Sequence, residues 1–433
     1  MTRRRLALVI LAVLLAPAGA RAQGPTVTRD TLPNGVTVLV RRNPASGVVA
    51  VSLLVRAGSR FETPETAGAT NFLHRMMIRG TARHSAAELD EAAEEIGGRI
   101  DASGDVEYGE VRGTALARHW PTLLALLAEV ALEPTLPSVE VEKERRLILS
   151  QIQTRADNPF PLAFDTLLRD LYGPHPYALP ATGSPSSIGA MTRATLLAHY
   201  RSIYRADRFV LAVSGDVSRD AILRSAGRLF GTLPAAGAGP VSTAAAAPVS
   251  TGGRRVVDKA AQQAQILVGY LGPGLNDPDY AAVKVLGALL GSGMSGRLFV
   301  ELRDKRGLAY SLGVQSPFRP GPTFFVGYMG TAPDNVNAAE AGILQELDRI
   351  RSELPSESEL QRAKAYLLGA LAMDRRTNAR QAWYLAYFEV VGAGWDFPER
   401  YARAVEAVTP ADVTGAARRY LSRPTIVVLQ PPR

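Results

Sequence analysis

Apolar and polar positions along the chain follow two periods, and together they predict strands and helices in two similar series. Apolar runs predict strands at 48–55 and 265–271. Helical periodicity covers 122–132 and 139–154, and prolines in 133–137 separate the two segments. Strands gathered around hairpins and accompanied by helical pairs indicate an α+β fold, in which helices are layered on mostly antiparallel sheets.

The beginning of the first series carries a local hairpin signal. Asn34 and Gly35 lie between two segments rich in β-branched residues, 28–32 and 36–40. An Asn-Gly pair favours the positive φ angles of a tight turn. The sequence therefore predicts a β-hairpin with a two-residue turn.

The end of each series repeats the same order, a capped helix followed by a strand. Thr192 begins a helix that leads to the apolar segment 209–214, and Thr409 begins one that leads to 425–429. Both threonines are predicted N-caps because a side-chain hydroxyl can accept a hydrogen bond from the first helical turn. Their separation of about 217 residues indicates an internal duplication.

Composition divides the chain at one place. The segment 234–253 carries no charge and consists almost entirely of Ala, Gly, Pro, Ser and Thr, which is typical of a linker. We therefore predict an N-terminal domain at 23–233 and a C-terminal domain at 254–433.

The first residues have the pattern of a secretory signal. Segment 1–22 contains a basic start, a short apolar run and a small-residue cleavage site, so we expect a periplasmic or secreted protein. An uncleaved membrane anchor is the alternative. No later apolar stretch approaches the roughly 18 residues that a membrane helix needs, and we expect no stable membrane insertion of the mature chain.

Cysteine usage and charge exclude several classes of protein. The chain has no cysteine, which excludes disulfides, thiolate metal sites and a cysteine nucleophile. Loss of residues 1–22 would remove four arginines and no acidic residue, lowering the formal net charge from +8 to +4, with 45 basic against 41 acidic side chains. That balance gives no argument for nucleic-acid binding.

One predicted helix resembles a zinc site without its ligands. In His-x-x-Glu-His, two imidazoles four residues apart bind Zn²⁺ and the Glu is the general base. The segments 58–62 and 68–81 resemble the active-site region of the insulinase/pitrilysin family of zinc peptidases. The resemblance places Asn71 and Arg75 at the two His positions and His74 at the position of the base.

The third ligand of that family is a Glu on a later helix, and it is also absent here. The matching segment 144–152 has Ser150 and Gln151 where the family shows acidic residues. A guanidinium roughly 4 Å from a divalent cation would cost on the order of several kcal/mol, and neither amide nor guanidinium replaces imidazole as a donor. We expect no metal and no other cofactor in this chain, although a relocated zinc site built from His74 and a distant carboxylate stays an alternative.

The second half contains a more complete motif. Segments 290–299 and 301–311 resemble the C-terminal signature of the same family, in which an Arg and a Tyr contact the substrate near the metal. Arg303 and Tyr310 occupy those positions. A fixed Tyr hydroxyl and an Arg fork can stabilise the negative charge that develops on a scissile carbonyl. Without the motif, Arg303 would be read as a surface ion pair and Tyr310 as the start of a strand.

The resemblance also assigns a substrate strand. Segment 99–112 is predicted as one edge strand, on which an extended peptide adds through main-chain hydrogen bonds. Asp101, Ala102 and Ser103 are the predicted substrate-binding residues, and nearby acidic residues would favour basic peptides. The alternative is a solvated edge kept charged against aggregation.

Three hypotheses follow from these residues. The leading one is a zinc-less subunit of a heterodimeric periplasmic metallopeptidase, inactive alone, whose homologous partner brings the zinc. The resemblance then implies two homologous domains that form half of a clam-shell chamber. The second hypothesis is a non-enzymatic peptide-binding or structural scaffold, and the third is a self-sufficient peptidase with atypical ligands.

Overall fold

The computed structural model describes residues 26–235 and 251–432. The predicted signal segment 1–22 and most of the predicted linker, 236–250, lie outside the described residues. Across the two described ranges, no helix combines the length and apolarity needed to cross a bilayer.

The N-terminal half forms a six-stranded mixed sheet, the N sheet, in the order β1-β2-β6-β3-β5-β4. Only the β2–β6 pair is parallel. The strands are β1 Val27–Thr31, β2 Thr37–Arg42, β3 Val48–Arg56, β4 Arg99–Gly104, β5 Tyr108–Leu116 and β6 Phe209–Gly215. The α-helices are α1 Ala69–Met77, α2 Ala86–Glu95, α3 Trp120–Leu132, α4 Ser138–Asp157, α5 Pro159–Tyr172, α6 Pro185–Ala190, α7 Arg193–Ile203 and α8 Arg219–Phe230.

The C-terminal half forms a five-stranded sheet, the C sheet, in the order β7-β11-β8-β10-β9, in which only β7 and β11 are parallel. The strands are β7 Gly253–Asp258, β8 Ala264–Gly272, β9 Ser311–Gln315, β10 Thr323–Thr331 and β11 Thr425–Gln430. The helices are α9 Tyr280–Gly291, a π-helix Phe299–Lys305, α10 Val336–Ser352, α11 Glu357–Asp374, α12 Asn378–Val390, α13 Phe397–Ala407 and α14 Pro410–Tyr420.

The two sheets share one plan, and the predicted fold class is confirmed. Strands β2, β6, β3, β5 and β4 correspond in order and direction to β7, β11, β8, β10 and β9, while β1 has no counterpart among the described residues 251–432. Thr192 and Thr409 both cap their helices, accepting hydrogen bonds from the backbone N–H groups of Thr195 and Asp412. Matching local caps and matching strand order agree with an internal duplication.

The predicted first hairpin is present, but its loop is longer than predicted. The N–H of Leu32 donates to the carbonyl of Val36, and the N–H of Gly35 donates to the carbonyl of Leu32. Pro33, Asn34 and Gly35 therefore form a three-residue loop, with Gly35 at a φ of 104°. Proline at the first loop position favours this type I turn followed by a left-handed glycine over a two-residue turn.

The predicted single strand over 99–112 is wrong, because the chain folds there into the hairpin of β4 and β5. Gly104 pairs with Gly109 beside the turn. The turn is stabilised by another segment of the chain, because the N–H groups of Ser59 and Arg60 donate to the carbonyls of Asp105 and Val106. Strand β4 is nevertheless an edge strand, so the predicted edge position is retained.

Each half contributes one helix to the sheet of the other half. Helix α12 packs on β3 and β6 of the N sheet, while α5 packs on β8 and β11 of the C sheet. Ala50 and Leu54 on β3 belong to one apolar core with residues of the C-terminal half. Gly269 on β8 leaves the room that Leu167 of α5 occupies, since a Cβ there would lie 2.9 Å from the leucine side chain.

A buried amide fixes the beginning of α12 against the N sheet. Asn378 donates from Nδ2 to Ser46 Oγ at 2.8 Å and to the Val48 carbonyl at 2.7 Å. Its Oδ1 accepts from Ser214 Oγ at 3.0 Å and from Asn43 Nδ2 at 3.1 Å. One side chain thus joins three segments of the N-terminal half to a helix of the C-terminal half.

We expect Asn378→Ala to lower the free energy of unfolding by about 1–3 kcal/mol, because it leaves buried polar partners unpaired. Chemical denaturation of the purified chain measures this change. The matched control is Asn276→Ala, at an exposed loop position, where we expect a change within about 0.5 kcal/mol. Equal stability of the two variants would contradict the proposed role of Asn378.

Candidate functional site

Helix α1, which carries the residues at the degenerate zinc positions, is anchored at its start by a buried carboxylate. Glu62 accepts hydrogen bonds from the N–H groups of Gly68 and Thr70, both at 2.7 Å. Burial raises the pKa of the Glu62 carboxyl, although these hydrogen bonds oppose the shift. A carboxylate at a helix N-terminus satisfies free N–H groups and is favoured by the helix dipole. The start of α1 is therefore fixed to the segment that carries Glu62.

Asn71, at the first degenerate ligand position, faces the edge strand. Its Nδ2 donates to the Gly104 carbonyl at 3.0 Å, and its Oδ1 is buried without a recorded partner. The contact is close, because a Cβ on Gly104 would lie 2.5 Å from the Asn71 backbone nitrogen. The amide thus ties α1 to the end of β4.

His74, at the position of the base, is fully buried. Its Nδ1 lies 2.8 Å from the Thr70 carbonyl, so Nδ1 donates, and Nε2 accepts from the Tyr204 hydroxyl at 2.9 Å. Burial lowers the pKa of His74 to about 4. Gly109 leaves room for the ring, since a Cβ there would lie 2.0 Å from His74 Cε1. With both nitrogens occupied and no solvent contact, this imidazole is a packing residue and not a base for a reaction.

Arg75, at the second ligand position, makes the ion pair that dominates this site. Its Nε lies 2.5 Å from Glu144 Oε1, its Nη2 contacts the same oxygen, and its Nη1 donates to Gln151 Oε1 at 2.6 Å. Arg79 Nη2 pairs with the other Glu144 oxygen at 3.0 Å. The Glu144 side chain is only 2% exposed, so solvent screens these pairs weakly. A fixed guanidinium joins the two helices at the positions where the family has a metal.

Sequence reasoning named Gln151 but missed Glu144 as the main partner of Arg75. The two residues are seven positions apart on α4, and this spacing places both side chains on one face of the helix. That spacing could have predicted the pair.

The side chains at these positions do not fit a zinc ion. The amide of Asn71 contacts β4, His74 is held by Thr70 and Tyr204, and Arg75 is a cation. Within 26–235 and 251–432, no group of three or more His, Asp or Glu side chains could hold a metal ion. We therefore derive no metal-dependent step within this chain.

The two predicted substrate-stabilising residues lie together at the beginning of edge strand β9. Arg303, on the π-helix, donates from Nη1 to the Tyr310 carbonyl at 3.2 Å, and its guanidinium lies 4.9 Å from the centroid of the Phe299 ring. Gly307, at a φ of 63°, reverses the chain between them. The Tyr310 side chain is 63% exposed. Arg303 is thus tied to the backbone of Tyr310, and both residues are exposed to solvent.

The structure keeps these two constellations in different halves. Among the described residues, no hydrogen bond or ion pair joins Arg303 or Tyr310 to Asn71, His74 or Arg75. Strand β9 is the C-sheet counterpart of β4. The Arg/Tyr pair therefore flanks the edge strand equivalent to the one beside the degenerate zinc positions.

The predicted substrate strand has two different faces. Ala102 points into the core of the N-terminal half, whereas Asp101 and Ser103 point to the opposite face. The acidic side chains nearby are largely compensated. Arg112 pairs with both Asp101 and Glu110, and Glu107 is contacted by Arg60 and Tyr177. This pairing removes the argument for a preference for basic peptides.

Comparisons with known proteins agree with the motifs. Residues 37–184 match the family model described as insulinase (peptidase family M16), and residues 190–367 match the model described as peptidase M16 inactive domain. An uncharacterized zinc protease of Mycobacterium tuberculosis is 30% identical over 398 residues, covering 91% of each chain. An uncharacterized zinc protease of Bacillus subtilis is 28% identical, covering 82% of this chain and 86% of its own.

Solved structures show the same fold. A peptidase M16 inactive domain from Pseudomonas fluorescens superposes with a TM-score of 0.87 at 24% identity, covering 94% of this chain and 99% of its own. A protease from Helicobacter pylori superposes with a TM-score of 0.88 at 22% identity, covering 94% and 100%.

We expect Arg75→Ala to lower the free energy of unfolding by about 1–3 kcal/mol, because it leaves the buried Glu144 carboxylate with Arg79 as its remaining cation. Denaturation curves measure the loss. Arg146→Ala, at an exposed position of α4, is the matched control with an expected change within about 0.5 kcal/mol. An Arg75 variant as stable as the control would show that the ion pair does not stabilise the helix pair.

We expect stability to fall as the pH drops from about 6.5 to 4. The folded chain holds His74 neutral with a pKa lowered to about 4 by burial, whereas the unfolded imidazole binds a proton near pH 6.5. The contribution of His74 is therefore complete above pH 6.5 and is lost on acidification through this window. Denaturation at several pH values should show a smaller loss in His74→Gln than in His119→Gln, the control. Parallel curves for the two variants would rule out His74 as a source of the pH dependence. His199, with a pKa also lowered to about 4, leaves a residual slope in both variants.

Proposed function

Because the chain belongs to the insulinase family of peptidases, peptidase family M16, we propose that it is the zinc-less subunit of a two-chain metallopeptidase. Its partner is a homologous chain with an intact His-x-x-Glu-His helix. This chain contributes Arg303 and Tyr310 to the reaction on a peptide substrate. Within 37–184, which matches the insulinase model, the side chains of Asn71, His74 and Arg75 support a chain that does not bind the metal itself, and the half that carries Arg303 and Tyr310 matches the inactive-domain model.

One contrast within the chain carries the proposal. At the degenerate zinc positions, Arg75 is committed to Glu144 and Gln151. In the other half, Arg303 and Tyr310 lie together, and Tyr310 is mostly exposed. The presence of both residues at an edge strand favours an enzymatic role over a purely structural one.

The chemistry of peptide hydrolysis suits this pair. Attack on the scissile carbonyl places negative charge on its oxygen, and donors fixed before the reaction stabilise that charge most effectively. The contact of Arg303 with the Tyr310 carbonyl and its position beside the Phe299 ring limit the guanidinium to few orientations. The remaining N–H groups of Arg303 and the phenol of Tyr310 can then face a substrate held across the interface.

The edge strand β4 provides the second part of the proposal. Among the described residues its outer edge pairs with no strand, so an extended peptide can add there through main-chain hydrogen bonds. We further propose that the pair of chains acts in the periplasm or outside the cell, on the basis of the signal-like segment 1–22.

We expect Arg303→Ala and Tyr310→Phe each to lower the kcat of the reconstituted pair by about 10²-fold, the usual effect of removing one oxyanion donor. The assay mixes the purified chain with its zinc-bearing homologue and measures zinc content, pairing and peptide cleavage. The controls are Arg306→Ala, at an exposed position beyond the π-helix, and Tyr366→Phe, at an exposed position on α11.

Zinc content and activity of the unmixed chain distinguish the two-chain peptidase from a self-sufficient peptidase and from a scaffold. Zinc and activity in the unmixed chain would overturn the proposal and indicate a peptidase with atypical ligands. Normal pairing and unchanged kcat in the Arg303 and Tyr310 variants would leave a scaffold or peptide-binding role. Activity that requires both chains and depends on both residues is the expected result.

A further inference from the structure

A cavity of about 520 Å³ lies beside the edge strand, between the N sheet and the beginning of α12. Its walls include Arg99 and Asp101 from β4, Glu110 and Arg112 from β5, and Arg380 and Trp383 from α12. None of these residues belongs to the degenerate zinc positions or to the Arg303 and Tyr310 pair. The volume is within the range typical of small-molecule pockets, and it would also accept one or two amino-acid side chains.

The carboxylates of this cavity are already paired. Glu110 is 1% exposed and accepts from Ser52 Oγ at 2.6 Å. Arg112 contacts Glu110 at 3.3 Å and also pairs with Asp101. Burial raises the pKa of Glu110, whereas the hydrogen bond from Ser52 and the charge of Arg112 oppose the shift.

The guanidinium groups of this cavity differ in how far they are paired. Arg99 has no recorded hydrogen bond or ion pair within the described residues and is exposed. Arg380 pairs with Asp374 through Nε and Nη2, lies 4.3 Å from the centroid of the Trp383 ring, and has no recorded bond at Nη1. Arg112 and Arg380 are thus paired with carboxylates, and Arg99 is the guanidinium of the cavity wall that has no carboxylate partner among the described residues.

Strand geometry connects the cavity to a peptide on β4. Arg99 and Asp101 point to the cavity face, and Ala102 points to the core on the other face. A strand added to β4 continues this alternation, so every second side chain of the added peptide lies over the cavity face. A side chain opposite β4 is then within reach of the free Arg99 guanidinium.

We propose that this cavity is a specificity pocket for a carboxylate of the bound peptide, either an acidic side chain or the C-terminal carboxylate. The inference rests on the proposed peptide-handling function and names its substrate class. Arg99 makes the charge-assisted contact, and Arg380 lies on the other wall of the cavity. Ser52, Glu110 and Arg112 keep the floor polar without attracting a basic side chain, since their own charges are paired.

The test measures binding of labelled extended peptides to the purified chain by fluorescence anisotropy. Three C-terminally amidated peptides differ only at one central residue, which is Glu, Gln or Lys. A fourth has central Gln and a free C-terminal carboxylate. We expect the Glu peptide or the free-carboxylate peptide to bind roughly three- to tenfold more tightly than the amidated Gln peptide. This is the gain typical of a partly desolvated guanidinium–carboxylate pair. The Lys peptide should bind most weakly. The peptide that gains affinity shows whether the pocket binds an acidic side chain or the C-terminal carboxylate.

Variants of single arginines test whether Arg99 causes the preference for a carboxylate. Arg99→Gln should abolish the preference, so that the carboxylate peptides bind no more tightly than the amidated Gln peptide, and Arg99→Lys should retain part of the preference. Arg224→Gln removes another exposed arginine, on α8, and should change nothing. Equal binding of all four peptides, tighter binding of the Lys peptide, or a preference that persists in Arg99→Gln would overturn the inference.

The two proposals fail separately. Peptide binding without a carboxylate preference would refute the pocket and leave the role of the Arg303 and Tyr310 pair intact. Binding of none of the peptides would also refute the pocket, whereas the proposed function depends on activity in the two-chain mixture. Loss of that activity in the Arg303 and Tyr310 variants, together with normal binding selectivity, would support both.

Discussion

The structure depends on the reciprocal exchange of one helix between its two halves. A sheet with two apolar faces needs cover on both, and each sheet obtains its second layer from the other half, through α12 on the N sheet and α5 on the C sheet. Burial of apolar surface is the largest favourable term in folding, so neither half can complete its core alone. Asn378 then fixes the direction of α12 with hydrogen bonds that an apolar contact could not specify.

The need to close each core also limits which side chains can occupy the degenerate zinc positions. Helices α1 and α4 must stay together for the N-terminal core to close, and a metal site between them would hold them through its ligands. Here the guanidinium of Arg75 joins the helices, with Glu144 and Gln151 as its partners on α4. Because the guanidinium of Arg75 is part of the chain, this contact between the helices requires no metal ion. The buried carboxylate of Glu144 is paired by the same contact. His74 contributes in a different way, as a neutral ring inside the apolar core.

Local signals made much of the fold predictable, while long-range contacts did not. The caps Thr192 and Thr409 and the apolar segments of β3, β6, β8 and β11 follow from periodicity and short-range hydrogen bonding. The turn between β4 and β5 was missed because Ser59 and Arg60, distant in sequence, satisfy its carbonyls. The helix exchange and the cavity beside Trp383 depend on contacts between the halves, which no local pattern encodes. At the site, the lost ligands were evident from residue types, and the spacing of Glu144 and Gln151 on one face of α4 could have indicated the partner of Arg75.

Charged groups near the two edge strands are either paired within the chain or uncommitted. Arg75 with Glu144, and Arg112 with its two carboxylates, are paired internally near β4. Internally paired charges stabilise the fold but offer little attraction to a ligand. Arg99, Arg303 and the Tyr310 hydroxyl are not paired in this way, and all three lie on or beside the edge strands β4 and β9. An edge strand supplies main-chain hydrogen bonds to any extended peptide, so these hydrogen bonds do not select among peptides. Selectivity and polarisation of the scissile carbonyl must then come from these uncommitted side chains.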